Sequence, residues 1–177
     1  MATETITVFD TGKSHEDMDF LLPQGRWERR VFQEKVISWL IKKTTHGDVS
    51  HAEFQREDGL CFSADGYKNI VDWRDIQFKN PDRWIAIRMP PVSDEEDANK
   101  VARAAKLKGH KYDTLGAIFS SSRWHRNIED PNKNYCSEAC AIVYGALPAQ
   151  VPPIDLLEWC MVNKGMIVPV LPRKAIA

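Results

Sequence analysis

Two cysteines four positions apart, Cys136 and Cys140, stand in the stretch NYCSEACAIVYG at 134–145. A cysteine sulfur acts as a nucleophile or a metal ligand once it has lost its proton, which a free thiol does near about pH 8.5. A helix N-terminus or a neighbouring imidazolium lowers that value. The stretch reads as a helix from about residue 135 with Asn134 as N-cap, a residue type that accepts from the helix's first free N–H groups. Cys136 then lies at the helix mouth, and Cys140 lies one turn deeper, where the dipole has faded. Cys136 is therefore the candidate nucleophile. The plainer expectation is two small residues in the core, since free cysteine is among the most buried types. A metal pair is disfavoured. Structural zinc sites draw ligands in close C-x-x-C pairs, and Cys61 and Cys160 are isolated. No metal and no cofactor is expected.

A thiol nucleophile needs a base. Of His15, His46, His51, His110 and His125, His51 stands at the start of a predicted strand, held on stiff backbone. His46 and His125 fall in loops, and His110 follows a helix-ending glycine. In VSHAEFQ (49–55) Ala52 and Phe54 take the core face, so His51, Glu53 and Gln55 point the other way.

The elements that must hold this pair follow from periodicity. TITVF (5–9) alternates as a strand, and 10–25 reads as loop with an apolar patch at Phe20, Leu21 and Leu22. Residues 27–45 have helical spacing at Phe32, Val36, Ile37, Leu40 and Ile41. Strands 49–55 and 60–64 form a hairpin across the turn 56–59, and 65–82 reads mostly as loop. RWIAIRM (83–89) is a strand ended by two prolines. Ser93 with Glu96 is a capping box opening a helix that runs to Gly109. A short helix lies in 110–119, a polar loop spans 120–134, and 155–164 is a helix with Asp155 as N-cap. The strand 166–171, with Pro169, suits a sheet edge. Strands clustered centrally with helices on both sides argue an α+β fold, an antiparallel sheet or small barrel packed on helices. One domain over 1–177 is expected.

The composition narrows the partners. A net charge of −1 from 24 basic and 25 acidic residues gives no electrostatic reason for nucleic acid. No apolar run reaches the ~18 residues of a spanning helix. The polar, acidic start is no secretory signal. A cytoplasmic protein with reduced thiols is the expectation, with export by another route left open.

Three short stretches taken together, DVSHAEF, GHKYD and NYCSEACAIVYG, resemble the circularly permuted branch of the NlpC-type cysteine peptidases, papain-like domains that include relatives of lecithin–retinol acyltransferase. In that branch the Ser-His strand precedes the Tyr-Cys-Ser-Glu helix, and here His51 precedes Cys136 by 85 residues. The likeness covers about residues 30–145. The first ~25 residues and the segment 146–177 carry little of it. The resemblance implies a papain-like fold, Cys136 as nucleophile and His51 as base. It also implies a thioester intermediate and an oxyanion held by N–H groups at the start of the Cys136 helix. A third residue that orients the histidine is often acidic and lies in the strand after the His strand. The matching position here is Ser63, with Glu53 and Asp65 as alternatives. Tyr112 resembles a tyrosine near the family's cleft, or is a core aromatic.

Three functions compete at this stage. The first is a thiol hydrolase cleaving an amide bond, in a peptide such as a peptidoglycan fragment. The second is the same Cys–His chemistry on an acyl-lipid ester or in acyl transfer, with MDFLLPQGRW (18–27) lining an apolar groove. The third is an inactive structural or binding module, motivated by the missing acid at Ser63.

Overall fold

A computed structural model describes residues 3–11, 27–76, 78, 80–120, 130–145 and 150–170. The apolar patch at Phe20, Leu21 and Leu22 and most of the 120–134 loop lie outside the described residues. The fold is α+β. Strands β1 (Ile6–Asp10), β2 (His51–Gln55), β3 (Leu60–Asp65), β4 (Ile70–Asp75), β5 (Trp84–Arg88) and β8 (Met166–Val168) form one sheet. Its order is β4-β3-β2-β1-β5-β8, and every neighbouring pair is antiparallel. The helices are α1 (Trp27–Thr45), α2 (Asp94–Leu107), α3 (Thr114–Phe119), α4 (Cys136–Tyr144) and α5 (Pro153–Val162). A short parallel ribbon joins β6 (Lys111–Tyr112) to β7 (Lys133–Asn134).

Residues 70–75, read as loop from the sequence, are the edge strand β4. Val71 and Trp73 alternate with Asp72 and Arg74, and the turn 66–69 returns β4 onto β3 over six paired positions. The charged side chains diluted the apolar signal, yet they are what the site uses.

Period-two alternation divides the sheet into two faces. One face buries Phe9, Ala52, Phe54, Phe62, Ala64 and Ile87 against Ala139, Cys140 and Val143 of α4 and Leu156 and Cys160 of α5. The other carries a second cluster of Val8, Cys61, Phe78, Trp84 and Ala86. The face of β2 that holds Glu53 is thus also covered. Glu53, the register partner of Val8, is fully buried.

Helix ends obey local chemistry. The Ser93 hydroxyl accepts from Glu96 N–H at 3.2 Å, and the Asp113 carboxylate accepts from Gly116 N–H at 2.8 Å to start α3. Helix α4 begins one residue later than the sequence predicts. Tyr135, not Asn134, is its N-cap, and Tyr135 N–H donates to the Glu138 carboxylate. Asn134 belongs to β7, and its Oδ1 accepts from His110 Nδ1 at 2.8 Å. The helix stops at Gly145, whose φ of 68° is the left-handed conformation that suits glycine. Helix α5 begins at Pro153, so Asp155 lies within its first turn rather than at its cap.

Tyr144, the last residue of α4, ties the helix to the sheet. Its hydroxyl shares a 2.6 Å buried hydrogen bond with Thr7 Oγ1 on β1, and Cys160 Sγ also reaches Thr7 at 3.6 Å. Tyr144→Phe is expected to lower stability by about 1–2 kcal/mol, because a buried hydroxyl loses its partner. Denaturant unfolding checks this, and a loss well under 0.5 kcal/mol would mean that the bond contributes little.

Candidate active site

The β-strand and the helix that carry the two candidate groups are packed directly together, since α4 lies on β2 and β3. Cys136 is the first residue of α4, and His51 the first of β2. The two groups lie close enough for each to act on the other's ionisation. The other ring nitrogen is committed: His51 Nε2 lies 2.6 Å from Glu53 Oε1. A carboxylate only accepts, so Nε2 carries the proton and donates. Nδ1 is then the nitrogen left for Cys136.

The electrostatics follow from these contacts. For the Cys136 thiol, burial works against ionisation. The His51 charge, the hydrogen bond from His51 and the backbone N–H groups of Ala52 and Ser137 outweigh it and hold the thiol below its usual range. For His51, burial works against the charged ring. The Cys136 thiolate and then the Glu53 carboxylate outweigh it, by charge and by hydrogen bond, and raise the imidazole to about 10. The other three cysteines go the opposite way. Burial first, and then nearby negative charge, pushes Cys61 and Cys140 well up. Burial pushes Cys160 to about 11. All four thiols are free and fully buried, so ionisation and not exposure separates Cys136 from the rest. Because Cys136 has no accessible surface, a reagent reaches its sulfur only when neighbouring side chains move.

The other sequence-predicted positions sort clearly. Ser63, the position expected to hold the third residue, donates its hydroxyl to Ala52 O at 2.6 Å and not to His51. Glu53 takes the place beside the ring instead. Continuing the β2–β3 register from Phe54↔Phe62 sets Glu53 opposite Ser63, so the carboxylate comes from the strand of His51 itself, two residues on, rather than from β3. Tyr112 lies near both Cys136 and Asp65. Burial, and then the charges of Cys136, Asp65 and Asp113, pushes its phenol well up. Its ring rests so close to Gly66 that an added Cβ there would stand 3.2 Å from it. Sequence reading missed Arg74, because it lies in the strand taken for a loop. Arg74 Nη2 donates to Glu53 Oε1 and lies 3.3 Å from His51 Nε2. Nη1 donates to Asp65 Oδ2 at 2.7 Å.

A cavity of about 200 Å³ lies on the far side of α4, lined by Asp113, Gly116, Tyr135, Glu138 and Ile142 among others. It includes neither Cys136 nor His51. Among the described residues no cluster of three or more histidine, cysteine or acidic side chains could hold a metal. Likewise, none of their helices is long and apolar enough to cross a membrane. No family model matches the chain, and no curated protein or solved structure does so either.

Proposed function

We propose that the chain is a thiol hydrolase of the permuted NlpC-type, papain-like kind, cleaving an amide bond through an acyl-enzyme thioester. The observation that carries this reading is the placement of Cys136 at the mouth of α4, which packs on the strand that begins with His51, whose ring is held by Glu53. The Cys136 thiolate attacks the acyl carbon, and N–H groups in the first turn of α4 take the developing oxyanion. His51 Nδ1 then passes its proton to the departing amine as the C–N bond breaks. In the second half His51 takes a proton from water, the hydroxide attacks the thioester, and the acyl group leaves as a carboxylic acid. Cys136 and His51 return to their starting ionisation. A peptide such as a peptidoglycan fragment is the proposed substrate.

An acyl-lipid ester is the second reading. Trp39 on α1 and Leu115 and Phe119 on α3 are exposed, and these two helices pack together, offering an apolar surface. A panel of amide, ester and thioester substrates separates the readings: ester turnover with inert amides would replace the first by the second.

The ionisation pattern gives a test that needs no substrate. A lowered Cys136 makes the thiolate present above its depressed pKa and lost as the pH falls through it. A raised His51 keeps the imidazolium until the pH climbs through about 10. Iodoacetamide is therefore expected to label Cys136 well below pH 8, ahead of the other three thiols. Acyl transfer is expected to fall again on the alkaline side, near 10, where the general acid is lost. Mass-spectrometric mapping of the labelled cysteine decides this. Labelling of all four only at high pH would overturn the pair.

A further inference from the structure

We propose that Arg74, clamped by Asp65, is a positioning residue that acts on His51 through Glu53. This deepens the hydrolase reading and rests on it for the catalytic meaning of His51.

Glu53 is unevenly engaged. Its carboxylate is wholly buried, and only Oε1 is engaged, by His51 and by Arg74. Oε2 has no hydrogen-bond partner. A carboxylate held by one oxygen to one imidazole is free to turn about its last bond. A second donor on that same oxygen fixes it. Arg74 supplies the donor from β4, and Arg74 is itself fixed. Its Nη1 donates to Asp65 Oδ2 at 2.7 Å. The remaining oxygen of Asp65 accepts the backbone N–H groups of Tyr67 at 2.8 Å and Lys68 at 3.1 Å. An unbroken chain thus runs from the β3–β4 turn through Asp65, Arg74 and Glu53 to His51, and from there to Cys136. Each link is a charge-assisted hydrogen bond or a backbone bond, and three strands contribute.

The 3.3 Å approach of Arg74 to His51 Nε2 brings two donors together. It is a consequence of their shared acceptor, Glu53 Oε1, not a bond. The guanidinium fork also explains the residue type. One end must reach Glu53 and the other Asp65, which a single ammonium cannot reproduce. A guanidinium acting only as a nearby positive charge would have the opposite effect. Its removal would favour the imidazolium and speed thiolate formation. The positioning role predicts a slowing.

The test is a double-mutant cycle on the full chain, reading the rate of Cys136 alkylation by iodoacetamide against pH. Arg74→Met is expected to slow alkylation at pH 7 by about tenfold, a usual size of coupling within one network, and to move the profile to higher pH. Glu53→Gln is expected to slow it comparably. Arg74→Met in the Glu53→Gln background is expected to add less than about twofold, because the route through Glu53 is already cut. Arg74→Lys is expected not to restore the rate, and Asp65→Asn to lie between. An unchanged or faster rate in Arg74→Met, or penalties that multiply in the double variant, would overturn the proposal. If Arg74→Met does not fold by circular dichroism, the same cycle with Arg74→Lys decides between these outcomes. Alkylation requires no substrate. A chain that shows the cycle but turns over no acyl compound keeps this inference and loses the hydrolase reading. Full turnover in Arg74→Met does the reverse.

Discussion

Cys136→Ala is expected to abolish acyl transfer, by about 10⁴-fold or more, as loss of a covalent nucleophile does. The same variant should lose the thioester adduct that rapid acid quenching and mass spectrometry would catch in the native chain. The fold should survive. Cys136 is small and lies at the start of α4, whose first turn is held by Tyr135 N–H donating to the Glu138 carboxylate and Ala139 N–H donating to the Tyr135 carbonyl rather than by the thiol. Cys140→Ala is the control. Cys140 Sγ reaches Phe62 O at 3.8 Å in the core, so its loss should touch stability and leave turnover in place. Equal turnover in Cys136→Ala and the native chain would end the covalent mechanism.

The largest expected effect on stability lies beside the site. Asp10 and Arg83 form a buried two-pronged ion pair, with Nε donating to Oδ1 at 2.7 Å and Nη2 to Oδ2 at 2.5 Å. Arg83 is 1% exposed and Asp10 3%. Asp10→Ala would strand a guanidinium in the interior, at a cost of about 3–5 kcal/mol. For a domain of this size that corresponds to a fall in Tm of about 6–20 °C. The double variant Asp10→Leu with Arg83→Met is expected to recover much of the loss, because an apolar pair needs no desolvation. Since Asp10 is the register partner of His51 on the adjacent strand, Asp10→Ala should also slow Cys136 alkylation. A melting curve within about 2 °C of the native chain would show that the pair contributes little.

What the sequence alone determined is what local chemistry determines. Cys136 at a helix mouth follows from a helix whose apolar spacing and terminal Gly145 are legible within a dozen residues. His51 at a strand start follows from the alternation around Ala52 and Phe54, and α2 follows from Ser93 and Glu96. All three rest on contacts within one or two turns of chain. Apart from helix caps displaced by a residue or more, the main error falls where a contact crosses strands. β4 reads as a loop because its outward positions are charged, and those charges make sense only once Asp65 and Glu53 stand across from them. Ser63 was the first candidate for the orienting residue, with Glu53 and Asp65 as alternatives; its hydroxyl turned to a backbone carbonyl, and Glu53, two residues along the same strand as His51, lies beside the ring. Only the tertiary structure showed that Arg74 joins them, because sheet register brings a residue 21 positions away into hydrogen-bond range of Glu53. The same register covers the second face of β2. A carboxylate that sequence periodicity leaves on the outward face thereby becomes a buried one, bound to His51 on one side and Arg74 on the other.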